Sequence, residues 1–402
     1  MTSYYRKETK GDKLTVMEMF VIVECLLVFA IYFFTIFEQE TLTSLCIAAN
    51  YIVVAGMTAF SLMIYKSGKM FYLWFFLVAA SMYATFVTAG SITFTYLKKW
   101  LMFTSTVNML FWVTNSKISL RMIKSIKITT FIIAVLFVFA YITGRTGSPD
   151  EFNGALTFNF SNPNMTGISL LAVCLHIFVM TNENKGIIKR TVCLALAVIL
   201  TWFIFMTTAR SCIVAIVAFF IMTVFKKKYS RVVTFMVVIF PLVFVALYMK
   251  LINTDFISIF EFMESEGKSL TSRERIWQYV IQIIKMRPLF GHYYVVTKGS
   301  GLANLHNIHL DTLAAYGIIT FILKIWFLNA VLNVIGKNSV KRGNISIIAF
   351  YAVLLSGTFE AALFSGSEGV YFIVGGFLML TKYHNKSEKS ILKGYDYKKG
   401  IE

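Results

Sequence analysis

The chain has 402 residues, of which 57% are hydrophobic and only 14% are charged. Its mean hydropathy of +0.71 excludes a soluble globular protein, whose surface must face water. The net charge of +18 does not indicate nucleic-acid binding, because the basic residues lie in short joints between apolar stretches rather than on one soluble face. The composition therefore predicts an integral membrane protein.

Apolar stretches long enough to cross a bilayer recur along nearly the whole chain and predict about twelve transmembrane helices. We expect an all-α polytopic membrane protein in which residues 1–402 form a single integral membrane domain. The first stretch is too long for a signal peptide and lacks a small-x-small cleavage site, so it predicts a retained span. The predicted spans are 16–37, 42–64, 70–90, 100–115, 126–143, 165–181, 191–208, 211–225, 232–252, 307–335, 344–359 and 369–381.

Lys and Arg are concentrated at every second joint, beginning with the N-terminal segment RKETKGDK and ending with the tail after Lys382. Cytoplasmic loops carry such an excess of basic residues. The pattern therefore predicts that both termini are cytoplasmic, that the number of spans is even, and that the remaining joints face outward.

The longest joint, 253–305, lies between spans 9 and 10 and is predicted to be a large extracytoplasmic loop. Loops of this length in a compact fold are usually functional or disordered. Within it, apolar residues recur at helical spacing over 273–287, which predicts an amphipathic helix on the outer leaflet. Pro288 and Gly291 provide the signal that ends this helix.

Polar side chains that could carry chemistry gather on the predicted outer side. The planar fork of arginine suits phosphate oxygens, and a histidine can move a proton near neutral pH. Each residue also has a structural interpretation, as a headgroup contact, an amphipathic-helix charge or a first-turn acid. Together they indicate a phosphorylated lipid, with a lipid-linked diphosphate as the natural candidate. The residues are Arg210, Arg273, Arg275, His306, Asn307, Asp311, Asn162 and Asn164.

Two further polar residues lie inside apolar stretches. His176 is predicted to be a hydrogen-bonded packing histidine rather than a ligand. Lys324 is costly inside the tenth span, and a pairing with Glu18 or Glu24 of the first span would offset that cost.

No metal or cofactor site is indicated. The five cysteines form no C-x-x-C pair, and His306 with His309 lacks a third ligand at metal-binding spacing. The chain also has no glycine-rich phosphate loop, so a nucleotide-driven pump is not suggested.

Four short segments carry a family resemblance: FSNPNMTG (160–167), TTARS (207–211), SRERIWQYVIQIIKMRPLFG (272–291) and HNIHLDTLAAYGII (306–319). They resemble, in order, the F-x-N-P-N, T-x-S-R, G-R-x-x-x-W…P-L-F-G and H-N-x-x-L…G-x-x-G patterns of one family. This family is the bacterial O-antigen and capsule polymerase (Wzy) and O-antigen ligase superfamily of membrane glycosyltransferases. Ala209, Ser272 and Ile318 with Ile319 depart from these patterns, so either Arg273 or Arg275 could hold the role of the family arginine.

The resemblance implies transfer of a glycan from a polyprenyl diphosphate carrier at the outer face of the cytoplasmic (inner) membrane, without metal, cofactor or nucleotide sugar. Arg210 and Arg273 would hold the diphosphate and His306 would act as general base. Substrate binding would involve a further set of residues, namely Arg275, Asn307, Asp311, Asn162 and Asn164.

The leading functional prediction is a polymerase that joins lipid-linked oligosaccharide repeats into a capsular, exopolysaccharide or O-antigen chain. A ligase that passes the glycan to another acceptor is the first alternative, and a polysaccharide flippase or other transporter is the second. The expected partners are the polyprenyl-diphosphate-linked oligosaccharide, membrane lipid, and flippase and chain-length regulator proteins; no nucleic acid is expected.

Overall fold

A computed structural model describes residues 14–64, 68–87, 94–147, 154–184, 186–225, 231–251, 271–292, 305–336, 341–359, 364 and 369–399. Within these ranges the chain forms thirteen helices and no strand. The first nine are α1 (Val16–Ile36), α2 (Glu40–Ile64), α3 (Lys69–Phe86), α4 (Phe94–Asn115), α5 (Leu120–Ile142), α6 (Pro163–Glu183), α7 (Ile187–Met206), α8 (Arg210–Val224) and α9 (Arg231–Leu251). The remaining four are α10 (Thr271–Met286), α11 (Ile308–Gly336), α12 (Lys341–Ser356) and α13 (Val370–Lys399).

Eight of these helices are long and apolar enough to cross a membrane. They are α1, α2, α3, α5, α6, α7, α9 and α11, while α8 and residues 345–356 of α12 form shorter apolar helices. The prediction of an all-helical polytopic membrane protein is confirmed. The count of about twelve spans stays a prediction. Of the predicted outer loop 253–305, segments 271–292 and Leu305 lie within the described residues.

Local sequence signals set the start of several helices. Thr15 accepts a hydrogen bond from the Glu18 amide and Glu18 accepts one from the Thr15 amide, a reciprocal cap that starts α1. Ser119 caps α5, and its hydroxyl also donates to Glu18 at 2.7 Å. Arg121 approaches the same carboxylate at 3.6 Å. These contacts join α1 to α5 at what we call the N-terminal end of the bundle.

The bundle is organised around α6, which is buried along almost its whole length. It packs against α5, α7, α12 and α13, while α11 packs against α3 and α9, and α8 packs against α12. Outer helices expose large apolar side chains such as Ile52 and Trp202. A helix that is apolar all round is buried in protein or faces lipid, so this distribution fits a membrane bundle.

Hydrogen bonds and ion pairs hold α13 at the N-terminal end of the bundle. The Lys382 ammonium group donates to three carbonyls at the end of α4, at 2.7 to 2.9 Å. The Glu183 carboxylate at the end of α6 binds His384 at 2.6 Å and also pairs with Lys127 of α5. Because cations suit a helix C-terminus, these contacts stabilise the ends of α4 and α6.

The prediction for His176 is confirmed. Its Nε2 atom lies 2.6 Å from the carbonyl oxygen of Ile373, and its ring stacks on Phe377 with 4.0 Å between centroids. The histidine therefore links α6 to α13 inside the bundle.

The expected pairing of Lys324 with Glu18 or Glu24 is wrong. Glu18 is engaged at the start of α5, and Glu24 accepts hydrogen bonds from Asn50 and Tyr371 at 2.7 and 2.9 Å. Lys324 lies elsewhere in the bundle and reaches the start of its own helix, α11.

Candidate active site

Helix α11 is broken at Gly317, whose backbone angles are φ 79° and ψ 179°. The Lys324 Nζ atom lies 2.6 Å from the Ile308 carbonyl oxygen, 16 residues earlier. A straight helix would separate those positions by about 24 Å, far more than a lysine side chain spans. The chain therefore folds back at Gly317 into a first arm (308–316) and a second arm (318–336). The predicted tenth span is thus not one continuous helix, and only the second arm, about 28 Å long, approaches the thickness of a bilayer core.

The segment 288–292, which we call the docking segment, fills the break in α11. It contains the P-L-F-G sequence that follows α10. Backbone groups that would otherwise be unpaired at the break are satisfied by this segment. The hydrogen bonds are Ile318 N to Pro288 O (2.8 Å), Ile319 N to Leu289 O (3.4 Å) and His292 N to Ala314 O (2.7 Å).

Two motif glycines make this close backbone approach possible. Gly291 has φ 71°, and a Cβ atom there would lie 2.6 Å from the Ala315 carbonyl. A Cβ atom on Gly317 would lie 2.3 Å from the Leu289 carbonyl oxygen. Glycine is the residue that combines positive φ with such contacts. The glycines of the P-L-F-G and A-A-Y-G sequences therefore face each other across the joint.

Helix α10 packs its apolar face on protein. Trp277 is fully buried and meets the Tyr248 ring of α9 edge-on at 5.6 Å, and Val280 and Ile283 belong to the same cluster as Leu310 and Ala314 of the first arm. The amphipathic helix predicted at 273–287 is confirmed. The sequence placed its apolar face on lipid, whereas that face covers α9 and the first arm.

Asn307 anchors the start of the first arm. Its side-chain amide donates to the carbonyls of Pro241 (2.9 Å) and Thr358 (3.0 Å), and its side-chain oxygen accepts from the His309 and Leu310 amides. The residue is fully buried and its hydrogen-bonding capacity is used. Asn307 was predicted to bind substrate, and these contacts give it the role of a helix cap and anchor.

His309 provides a second anchor beside Asn307. Its ring donates from Nε2 to the Val238 carbonyl at 2.6 Å. Val238 lies in α9 one turn before Pro241, whose own carbonyl accepts from Asn307. The part of α9 around Pro241 is thus one site at which α11 attaches.

His306 directly precedes this anchor. It is half-buried and has φ 51°, a left-handed conformation in the turn before α11. Its neighbour Asn307 contacts Pro241, about 15 Å from either end of α9. His306 therefore lies well within the height of the helical bundle, whereas the sequence placed it at the mouth of a span. Asp311, also half-buried, follows one turn later on the first arm.

Arg210 begins α8 after a tight turn. Thr208 has φ 55° there, and the Thr207 hydroxyl donates to the Ile204 carbonyl at 2.7 Å. The turn packs against Gly167 of α6, where an added Cβ atom would lie 2.5 Å from the Ala209 Cβ. The Arg210 side chain is half-buried and has no hydrogen bond or ion pair within the described part of the chain.

The F-x-N-P-N segment supports that turn. Asn162 caps α6 by accepting from the Met165 amide at 2.9 Å, with Pro163 in the first turn. The Thr166 hydroxyl donates to the Thr157 carbonyl at 2.6 Å. Because Gly167 packs against Ala209, two of the predicted site segments, 160–167 and 207–211, are in direct contact. Asn162 has a capping role in this structure, and Asn164 is half-buried in the first turn of α6.

Helix α12 connects the Arg210 region to the His306 region. It packs against both α8 and α9. The Gly357 carbonyl just beyond its end accepts from the Ile308 amide at 2.9 Å, and the Thr358 carbonyl accepts from Asn307. Arg273 and Arg275 lie in the first turn of α10, and their side chains lie outside the described residues. Their roles remain predictions.

Arg287 places a positive charge beside His292 of the docking segment. Burial and the positive charge of Arg287 lower the pKa of His292, which favours its neutral form. Within the described residues, no group of three or more His, Cys, Asp or Glu side chains could hold a metal ion.

Two residues that give the site its shape, Pro241 and Gly317, are not among those predicted from the sequence. Pro241 inside a predicted span and Gly317 inside another were the available signals, since proline and glycine interrupt helices. Neither residue reveals which segment fills the break. The partners became visible only from the hydrogen bonds of the docking segment and Asn307.

A known protein family matches the part of the chain that contains most of this candidate site. Residues 194–325 match the family model Wzy_C, described as O-antigen ligase. The match extends from α7 into the second arm of α11 and includes Arg210, α10, the docking segment and His306. It confirms the resemblance to the O-antigen ligase and polymerase superfamily. Comparisons with curated proteins and with solved structures each found no significant match.

Proposed function

We propose that this chain, which matches the O-antigen ligase family over residues 194–325, is a polymerase of lipid-linked glycan. It would transfer oligosaccharide repeats from polyprenyl diphosphate into a growing capsular, exopolysaccharide or O-antigen chain. The observation that carries the proposal is the state of Arg210. Its guanidinium group is half-buried and unpaired within the described residues, on a turn that Gly167 and Ala209 hold in place. An arginine held in this way is suited to bind an anionic group by its planar fork.

The proposed reaction forms a bond between the hydroxyl oxygen of the acceptor sugar and the anomeric carbon of the donor sugar. The bond from that carbon to the diphosphate oxygen breaks, and its electron pair leaves with the lipid diphosphate. Arg210 and Arg273 neutralise this leaving group as its charge develops. His306 accepts the proton of the attacking hydroxyl and later passes it to water. Asp311, Arg275 and Asn164 contribute to substrate binding, whereas Asn307 and Asn162 hold the starts of α11 and α6.

The proposed orientation places the site on the outer face of the inner membrane. Lys382, Lys127 and Arg121 lie at the N-terminal end of the bundle, where the basic residues indicate the cytoplasm. Arg210 lies beside the start of α6, at the other end of that helix from Glu183. Lipid-linked repeats presented on the outer leaflet would reach the site from that side.

The proposal is tested with purified protein in nanodiscs that receives only polyprenyl-diphosphate-linked repeats. We expect a ladder of polymer on a gel, and we expect Arg210→Ala, Arg273→Ala and His306→Ala each to reduce the rate by at least about 100-fold. Arg275→Ala is expected to be milder. Arg210→Lys should rescue poorly, because a point charge does not reproduce the bidentate fork.

Arg231→Ala is the matched control, since Arg231 also begins a helix but is exposed. It should leave the ladder unchanged. A ladder that persists in His306→Ala would refute the role of His306. If wild-type protein makes no ladder until a second acceptor is added, the enzyme is a ligase, the activity that the family description names. Lipid-linked repeats that cross the membrane without being joined would instead show a flippase.

A further inference from the structure

A buried lysine joins the two arms of α11. Lys324 of the second arm is fully buried, and its Nζ atom donates to the Ile308 carbonyl at 2.6 Å and to the Thr312 hydroxyl at 2.5 Å. The same Nζ atom lies 4.9 Å from the centre of the Phe364 ring. A basic group inside a membrane bundle is expensive and is usually retained for a function.

Both contacts of Lys324 cross from one arm to the other. Ile308 and Thr312 occupy successive turns of the first arm, on one helix face. Lys324 also interacts electrostatically with Asp311 of that arm. The fold-back is therefore fixed at two places: the docking segment closes it at Gly317, and Lys324 closes it at the end that carries Asn307 and His306.

We propose that Lys324 is a positioning residue that sets the location of His306 by holding the first arm against the second. This inference rests on the proposed function, in which His306 removes the proton from the attacking hydroxyl. Lys324 acts close to His306, because the Ile308 carbonyl that it binds lies two residues after His306 in the chain. Asn307, between them, is anchored separately to α9 and to the turn after α12. Loss of the Lys324 contacts would let the first arm tilt about that anchor.

The first test compares Lys324→Met with Lys382→Met. Lys382 is a matched control because it also donates to several backbone carbonyls, but at the N-terminal end of the bundle. We expect Lys324→Met to lower kcat by about 100-fold, since a small misplacement of a catalytic group costs that much, with the KM for the lipid-linked donor nearly unchanged. Lys324→Arg, which keeps a cationic donor, should recover part of the rate. Lys382→Met should keep wild-type kcat in the folded fraction. Equal kcat in the two Met variants would overturn the proposal.

The second test is a double-mutant cycle with Thr312→Val, which removes the hydroxyl and keeps the volume. If Lys324 acts through its contact with Thr312, the effects on kcat will be less than additive in the double variant. Because the proposal holds the first arm through both the Ile308 and the Thr312 contacts, additive effects of two variants that each lower kcat would show that Thr312 acts independently of Lys324 and would overturn it.

The third test does not depend on catalysis. The His306→Cys variant is labelled with a thiol reagent, in a background that carries Cys46→Ser because Cys46 is half-exposed. Adding Lys324→Met should change the labelling rate at 306 by at least about tenfold, whereas adding Lys382→Met should not. A labelling change, together with a wild-type chain that makes no polymer from lipid-linked repeats, would support the positioning role and reject the proposed function. An active wild type with unchanged labelling in Lys324→Met would reject the positioning role alone.

Discussion

Replacing Gly317 by alanine tests whether the docking segment depends on the break in α11. The new Cβ atom would lie 2.3 Å from the Leu289 carbonyl oxygen and 2.5 Å from the Gly291 amide nitrogen. Both neighbours are backbone atoms, so neither can move aside as a side chain would. The substitution should therefore push the docking segment out of the break and disrupt the backbone hydrogen bonds that hold it.

The magnitude follows from the contacts that are lost. Three backbone hydrogen bonds contribute about 0.5 to 1.5 kcal/mol each. A non-glycine residue with these backbone angles adds strain of about 1 to 3 kcal/mol. The sum is about 2.5 to 7.5 kcal/mol, and since 1.4 kcal/mol is a factor of ten, the undocked population should rise at least about 60-fold.

Limited proteolysis measures this population directly. Lys285 is exposed next to the docking segment, so trypsin cleavage after Lys285 should accelerate at least about 60-fold in Gly317→Ala when opening is fast relative to cleavage. Gly154→Ala is the matched control, because Gly154 also has φ 79° but an added Cβ atom would meet nothing within 4 Å. Equal cleavage rates after Lys285 in the two variants would refute the reasoning that steric exclusion at Gly317 holds the docking segment.

Three further predictions concern other contacts of the candidate site. Gly167→Ala should lower activity by displacing the turn of Arg210, and Ala209→Gly in the same chain should restore it; a rate unchanged in the single variant would refute this. Asn307→Ala should lower the free energy of unfolding by about 1 to 3 kcal/mol, because two buried carbonyls lose their donor. Asn307→Asp should lower Tm further, because its carboxylate would face the same two carbonyl oxygens. The reverse order of Tm would contradict the assigned contacts. The pKa of His292 is lowered in the folded chain, so the neutral ring stabilises the docked state fully above the unfolded-state pKa of about 6.5. This stabilisation is lost as the pH falls below that value. Proteolysis near the docking segment should accelerate between pH 7.5 and 5.5, and His292→Gln should remove that acceleration; the same acceleration in the variant would point to another group.

The helices themselves follow from the sequence. A long apolar run between polar joints has few alternatives to a helix in a membrane, because backbone groups must be paired within the segment. The predicted loop helix at 273–287 corresponds to Thr271–Met286 for a related reason, since its apolar residues recur at helical spacing and Pro288 ends it. The sequence also indicated the resemblance to the O-antigen ligase family, since three of its four motifs lie within residues 194–325, which match the family model.

The shape of the candidate site was decided by tertiary structure. Hydropathy over 307–335 does not distinguish a straight span from a helix that folds back, since both arms are apolar. The fold-back becomes definite only when the docking segment fills the break at Gly317 and Lys324 bonds across to Ile308. In the same way, the sequence presented Asn307 as a polar group available to substrate, whereas Pro241 and Thr358 use its amide. Residue type and spacing determine which helices form, but the pairing of buried polar groups depends on which segments meet in space.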